Sequence, residues 1–327
     1  MLGLRHKALR RPGRFLRYKL RALGDELLGH PDSDDQKLVA RTRRALFGNG
    51  YLLRLSFPPS DSDTPRYGYG RAPHQRLTRL LSLENDRYAQ VLRSFGAYSD
   101  DLLEIPLNET SAHEPHWRNG FLFGLDGVSL YGFTRTRAPR HYIEIGSGNS
   151  TLFVDRARRD GTLDTRITSI DPAPRREVDA ICDRVIRQPL ERSDLDMFGE
   201  LREGDIVFMD GTHRVFMNSD SVGFFLDVLP YLPPGVLVGI HDVHLPDDYR
   251  PEYAKRYYAE QYLLAALLLG EPARLRPVLP NWFVSHHPGL GKAARALLPE
   301  AYAQAPPPRP GAPVDQSLFG AIFWLST

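Results

Sequence analysis

The chain of 327 residues has a single cysteine, Cys182. That excludes an internal disulfide and any cysteine-built zinc site, and it suits a reducing compartment. A membrane-length apolar run is also missing. The longest candidate, YLLAALLLG at 262–270, is about half of the ~20 residues that a helical span requires. No apolar segment follows the basic N-terminus, so no signal peptide is expected. Net charge is nearly absent: 42 Lys and Arg against 40 Asp and Glu leave a formal +2. The chain as a whole is therefore not an obvious nucleic-acid binder. These absences lead to the expectation of a soluble, cytoplasmic protein.

What is present is unevenly placed. Arg5, Lys7, Arg10, Arg11, Arg14, Arg17, Lys19 and Arg21 precede the first acid, Asp25. Leu16, Leu20, Leu23 and Leu27 recur at helical spacing beneath those cations. Residues 1–56 are read as a basic helical extension, either packed on the body or in peripheral contact with a membrane surface. Residues 57–135 form a loop and helix region that can cap the substrate side. FPPSDSDTPRYGYGRAP at 57–73 is loop by composition, and a helix is expected from His74 to about Phe95. HEPHWRNGFLFGLDGVSLYGF at 113–133 shows neither helix nor strand period; it is packing beneath the body or a wall facing the substrate.

Residues 136–327 become regular. Apolar strands HYIEIG, TRITSID, RVIRQPL, DIVFMD and GVLVGIHD alternate with helix-like STLFVDRARR, RREVDAICDR, SDLDMFGEL, SDSVGFFLDVLPYL and YAKRYYAEQYLLAALLL. Such alternation indicates a parallel sheet covered on both faces. Two more strands are expected, NWFVSH at 281–286 and LFGAIFWLS at 318–326, separated by the proline-rich loop PEAYAQAPPPRPGAP.

The first strand runs into a glycine turn, Gly146-Ser147-Gly148-Asn149-Ser150-Thr151. A dinucleotide fingerprint would place a third glycine where Thr151 stands. Glu144 precedes the turn and Asp171 ends the next strand. A carboxylate at that strand end can accept hydrogen bonds from both hydroxyls of an adenosine ribose, which suits NAD and S-adenosylmethionine equally; alternatively, Asp171 only caps its turn.

The later motifs separate these ligands. EIGSGNST, SIDP, GDIVFMDG and LPPGVLVGIHD together resemble the class I S-adenosylmethionine-dependent methyltransferases, over about Trp117 to Ala266. The closest flavour is a bacterial small-molecule or sugar O-methyltransferase branch reading DGxH…PGVxxxxHD. The resemblance implies a Rossmann-like α/β fold, a seven-stranded sheet with a mainly helical N-terminal extension. It also implies a turn holding S-adenosylmethionine, with Glu144, Gly146, Ser147, Gly148, Asn149, Ser150, Asp171 and Asp210 as cofactor-binding residues. The acceptor would be a sugar or natural-product-like hydroxyl. A tyrosine-rich stretch, Tyr249, Tyr253, Tyr257 and Tyr258 with Glu260 and Gln261, resembles the family segment that lies over the pocket.

Asp210 closes the fourth strand, and His241 and Asp242 close the fifth. Neighbouring parallel strands bring such ends side by side, so the three residues are a candidate site for Mg²⁺ or Mn²⁺. A divalent ion would lower the pKa of an acceptor hydroxyl. In the resembling family an acid usually stands where His241 does. The metal-free alternative is a histidine general base, with His213 and His244 both placed for it. An NAD-dependent oxidoreductase and a non-catalytic binding protein remain as rivals. An amino-group nucleic-acid methyltransferase would carry Asn/Asp-Pro-Pro-Tyr/Phe where this chain has MDGTH.

Overall fold

The computed structural model describes residues 64–270, 274–303 and 320–327. The basic extension, the expected helix of residues 1–30 and most of the proline-rich loop lie outside the described residues. One seven-stranded sheet organises the described chain, in the order β3-β2-β1-β4-β5-β7-β6. Its strands are β1 (His141–Ile145), β2 (Arg166–Ile170), β3 (Arg184–Ile186), β4 (Ile206–Met209), β5 (Leu237–Ile240), β6 (Arg276–Pro280) and β7 (Phe323–Ser326). Strands β1 to β5 are parallel, and β7 runs antiparallel between β5 and β6. This is the seven-stranded arrangement that the motif resemblance implies. All four residues of β4 and all four of β5 are buried. Burial on both faces is why these strands read as unbroken apolar runs instead of alternating ones.

Helices α1 (Gln75–Ser82), α2 (Asn85–Phe95), α3 (Ser99–Glu104) and α4 (Gly124–Arg137) precede the sheet. His74 caps α1, its Nδ1 accepting from the Leu77 amide at 3.3 Å. Phe95 of α2 stands edge-on to Phe133 of α4 at 5.0 Å, and Phe133 lies 5.0 Å from Trp324 of β7. The helical region and the sheet therefore share one core. Every residue of α4 from Gly124 to Thr134 is buried. A helix covered on all sides carries no amphipathic period, so residues 113–133 concealed it. The second half of that stretch is packing beneath the body.

Helix α5 (Asn149–Gly161) follows the glycine turn, α6 (Asp220–Gly223) runs on through a π turn, and α7 (Glu260–Leu269) covers the far end. Some expected elements differ. The one helix expected from His74 to about Phe95 is two, α1 and α2, parted at Leu83 and Glu84. RREVDAICDR holds only a single 3₁₀ turn, Asp179–Ile181; Arg187 ties down both Asp179 and the Asp171 carbonyl, and Arg158 takes the Ile181 carbonyl at 3.0 Å. SDLDMFGEL is a 3₁₀ segment, Asp196–Glu200, entered through an Asp194 side chain that accepts from the Asp196 amide at 3.0 Å. Such local bonding competes with an α-helix. NWFVSH is helix α8 (Asn281–His286), not a strand; the strand is the preceding five residues. A six-residue apolar run does not distinguish the two states by period. The helix expected from Tyr253 begins only at Glu260, because Tyr257 takes a left-handed φ of 56° and breaks it. Among the described residues no helix is long and apolar enough to cross a membrane.

Candidate active site

The carboxyl ends of β1, β4 and β5 meet at one crest. Ile145 pairs with Met209 and Met209 with Ile240, so the next residues, Gly146, Asp210 and His241, stand side by side. The Asp210 amide donates to the Ile145 carbonyl at 2.8 Å and the His241 amide to the Met209 carbonyl at 2.9 Å. Gly146 has φ 82°, and a Cβ there would overlap the Asp210 carbonyl. Glycine is therefore required where the turn crosses the end of β4.

Within the turn the predicted cofactor residues divide. Gly148 has open space where a Cβ would sit, while its amide donates to Thr151 Oγ1 at 3.0 Å at the N-terminus of α5. Asp171 accepts from the Ser147 amide at 2.9 Å and from the Ala173 amide at 2.7 Å, which uses about two of a carboxylate's roughly four acceptor positions. It caps its turn and still has capacity for a ribose. Such a cradle fits an adenosine-type cofactor. Ser147, by contrast, bonds Ser169 at 2.7 Å. Glu144 is fully buried and accepts from the Ser150 and Thr151 hydroxyls, so these side chains lock the turn to α5. Burial pushes the Glu144 carboxyl up to about 8, against the pull of the two hydroxyls and with the help of nearby Asp210. Asn149 is buried beside the turn.

The loop after β4 is built to hold His213. A Cβ on Gly211 would strike Asp220, whose carboxylate accepts from the Thr212 amide and hydroxyl, each at 2.6 Å. Thus pinned, the chain takes a left-handed φ of 59° at His213. The His213 carbonyl then accepts from the Ala259 amide at 2.8 Å, just ahead of α7. The His213 imidazole is 5 % exposed. Its Nδ1 lies 2.5 Å from Glu260 Oε1, and Ser221 donates to the other Glu260 oxygen at 3.0 Å. Its Nε2 stands 3.2 Å from Asp210 Oδ1 and 3.6 Å from Asp242 Oδ2. Burial alone would lower the His213 pKa, but Glu260, Asp210 and Asp242 outweigh it and hold it well above the usual histidine range. Asp210 keeps 23 % of its side chain exposed, the opening of this nest. Burial raises its carboxyl, yet His241 and His213 overcome that and hold it well below the usual carboxylate range.

The three residues expected to bind metal are brought together, but with each imidazole nitrogen of His241 facing a carboxylate. Nδ1 lies 3.1 Å from Asp210 Oδ1, whereas Nε2 is buried without a hydrogen-bond partner among the described residues, 3.7 Å from Asp126 Oδ2. Burial lowers the His241 pKa, but Asp210, Asp242 and Asp126 outweigh it and raise it well above the ordinary value. As placed, His241 and Asp210 are hydrogen-bonded to each other and not arranged around a shared divalent ion. Among the described residues no group of three or more His, Cys, Asp or Glu is arranged to hold one. Asp126 lies in the stretch without a period and leaves no signal in the sequence. It is fully buried, accepting from the Ala321 and Ile322 amides at 2.8 Å and from Asn281 at 2.8 Å.

His244 lies elsewhere. It is fully buried, with neither ring nitrogen hydrogen-bonded among the described residues. Trp282 meets it edge-on at 4.5 Å, with Tyr253 at 5.6 Å and Tyr249 at 5.8 Å. Burial lowers its pKa well below the ordinary value, assisted by Arg250. The tyrosine-rich stretch is split: Tyr249 is buried, Tyr258 lies 4.5 Å from the His213 ring, and the Tyr253 hydroxyl donates to Asp242 at 3.3 Å.

A family model described as "Methyltransferase domain" matches residues 143–243, which hold the glycine turn, Asp171, His213 and the ends of β4 and β5. No curated protein matches the chain. Among solved structures, a Podospora anserina methyltransferase bound to S-adenosylhomocysteine is 16 % identical, covering 76 % of this chain and 93 % of that one, with a TM-score of 0.34. The plantazolicin methyltransferase with S-adenosylhomocysteine is 15 % identical, covering 76 % and 97 %, with a TM-score of 0.36. A mycolic acid cyclopropane synthase complexed with S-adenosylhomocysteine and CTAB is 13 % identical, covering 73 % and 98 %, with a TM-score of 0.29. At these scores the superpositions are loose.

Proposed function

We propose that this chain, a class I S-adenosylmethionine-dependent methyltransferase, methylates a hydroxyl of a sugar or related small metabolite and uses His213 as the general base. When bound, S-adenosylmethionine would supply an electrophilic methyl group on a sulfonium. Gly146, Gly148 and Asn149 would hold its amino-acid end and Asp171 its ribose, as the cradle geometry supports. Asp210 borders both the turn and the nest.

The observation that carries the reading is the placement of His213. Its Nδ1 is taken by Glu260, and its Nε2 faces Asp210 at 3.2 Å and Asp242 at 3.6 Å. Nε2 is the nitrogen beside the exposed edge of Asp210, so an acceptor hydroxyl that takes the place of that carboxylate meets Nε2 as its proton acceptor. In its neutral form, His213 Nε2 takes the proton from an acceptor hydroxyl as the oxygen becomes nucleophilic. Asp210 and Asp242 then stabilise the imidazolium so formed. Because those carboxylates raise its pKa, the competent neutral form is populated on the alkaline side, and turnover should climb with pH. Tyr258 against His213 and Tyr253 on Asp242 provide ring faces and a hydroxyl that suit a sugar. The His241 geometry favours this metal-independent route over activation by Mg²⁺ or Mn²⁺.

The test combines binding and transfer. Calorimetry should show S-adenosylmethionine binding to the full chain, weakened at least about tenfold in Asp171→Ala, because two charge-assisted bonds of roughly 1.5–3 kcal/mol each are lost. Radiolabelled methyl transfer to a panel of free sugars, glycosides and catechols should then persist in excess EDTA. Transfer abolished by EDTA and restored by Mg²⁺ would overturn the histidine route.

A further inference from the structure

We propose that the acceptor is an anionic sugar, its carboxylate or phosphate held by Arg214 and Arg256 while its hydroxyl lies against His213. The inference rests on the acceptor site proposed above and adds the residues that choose the substrate within it. Arg214 follows His213 on the loop after β4, and Arg256 stands just ahead of α7. They converge on one ring. The Arg214 guanidinium is 6.0 Å from the centre of Tyr258, and that of Arg256 is 5.6 Å away. Arg256 also lies over the Tyr253 ring at 4.4 Å, and its Nη1 stands 3.5 Å from the Tyr258 hydroxyl. Main chain ties the pair together, since Arg214 Nε donates to the Arg256 carbonyl at 2.9 Å. The same two tyrosines reach the carboxylate nest. Tyr258 lies 4.5 Å from the His213 ring, and the Tyr253 hydroxyl donates to Asp242 at 3.3 Å. The cationic rim and the proton acceptor are thereby one aromatic ring apart.

Two cations that share a ring repel each other, and no acid separates these. Among the described residues neither guanidinium forms an ion pair. Arginines elsewhere in the fold are neutralised where they pack: Arg135 meets Asp101 at 2.5 Å and Arg156 meets Asp160 at 2.8 Å. Tyr253 and Tyr258 attract the rim arginines through their ring faces, which orders the guanidiniums without consuming N–H donors. Arg214 uses Nε on a carbonyl and Arg256 uses one contact on a hydroxyl, so most of their donors remain for a ligand. A guanidinium presents such donors as a fork that matches the paired oxygens of a carboxylate or phosphate. Arg256 is exposed and Arg214 half-buried, so an incoming anion can reach both. A neutral sugar would leave both charges unanswered. The direction of binding is set as well, because Asp210 and Asp242 repel an anion from the opposite end. A single sugar ring, with its anion on one side and the reacting hydroxyl across from it, bridges the gap that Tyr258 marks.

The experiment is calorimetry on the full chain in the presence of S-adenosylhomocysteine, so no turnover is required. The probes are glucose, galactose and mannose, each as the neutral sugar, the uronate and the 6-phosphate. In at least one set an anionic member should bind at least about tenfold more tightly than its neutral parent, as charge-assisted hydrogen bonds require. Added salt should narrow that difference. The uronate and the phosphate show which anion is preferred. Arg214→Gln and Arg256→Gln should each remove most of the preference, whereas Arg256→Lys, which keeps the charge but not the fork, should retain part of it. Unchanged S-adenosylmethionine affinity in these variants would show that they fold. Equal binding of neutral and anionic members in every set, no binding of any anionic sugar, or a preference that survives in both glutamine variants would overturn the proposal. The two readings fail separately. Anionic sugars bound through the arginines but never methylated would remove the proposed reaction alone, and methylation of neutral sugars without the preference would remove this inference alone.

Discussion

Two buried histidines near the tips of the same sheet have opposite surroundings. His213 is 4 % exposed and His244 0 %, so burial does not distinguish them. His213 is enclosed by three carboxylates, and its pKa rises; His244 is enclosed by Trp282, Tyr249 and Tyr253, and its pKa falls. Desolvation is the largest influence on both rings. What reverses the outcome at His213 is charge, supplied by one residue from each of three elements: the end of β4, the end of β5 and the start of α7. A dry cavity lined with rings keeps an imidazole neutral and inert. The same ring among anions is held in its protonated form to higher pH.

The comparison breaks most visibly in turnover. His213→Ala should reduce kcat on the order of 10²–10⁴-fold, with S-adenosylmethionine affinity by calorimetry staying within about threefold. The corresponding His244→Phe enzyme should stay within about threefold of wild type. Equal losses at the two positions would mean that packing, not charge, distinguishes them.

How far the sequence carried the site follows from the kind of signal each residue leaves. Asp210, His241 and Asp242 were legible because they terminate apolar strands, and strand order brings such termini together. Gly146 was legible as a turn, although its close contact with the Asp210 carbonyl was not. His213 and His244 looked equivalent, each a few residues beyond a strand-ending acid; only the tertiary environment separates them. Asp126 left no trace, because α4 is covered on every side and has no period. The expected helix at RREVDAICDR failed for a related reason: arginine bonds to loop carbonyls, invisible in a local pattern, outweighed the helical spacing. NWFVSH reads as a strand but folds as a helix, since a strand and a buried helical turn share one apolar run of that length.

A smaller effect sharpens the same contrast through pH and stability. A histidine whose pKa is raised on folding stabilises fully below its unfolded value of 6.5, and that contribution is lost as pH rises through the folded value. His213 belongs to this class. His244 has the reverse linkage: its folded pKa lies below 6.5, so the unfolded chain binds the extra proton and stability is lost as pH falls below that value. Melting temperatures measured from about pH 5 to about pH 9 should therefore show two opposite trends. The deficit of His213→Gln against wild type should be widest in acid and narrow toward alkaline pH. Parallel curves for that pair would show that the carboxylate nest does not hold a protonated ring.

The smallest expected effect is His244→Phe at neutral pH. Phenylalanine fills similar space and removes two ring nitrogens that have no hydrogen-bond partner among the described residues. A buried polar group without a partner costs about 1–3 kcal/mol, offset here by the strain of refitting a larger ring against Trp282 at 4.5 Å. Urea denaturation at pH 7 should therefore place the variant within about 1 kcal/mol of wild type, with the higher stability of the two the more consistent sign. At pH 5 the comparison becomes one-sided, because the wild type must then keep a neutral imidazole that the unfolded chain would protonate. The advantage of phenylalanine should grow by an amount set by the depression of the His244 pKa, about 1.4 kcal/mol per unit, until that folded pKa is reached. A variant that loses stability at both pH values would show that the aromatic box needs the imidazole, and that His244 carries a hydrogen bond in solution.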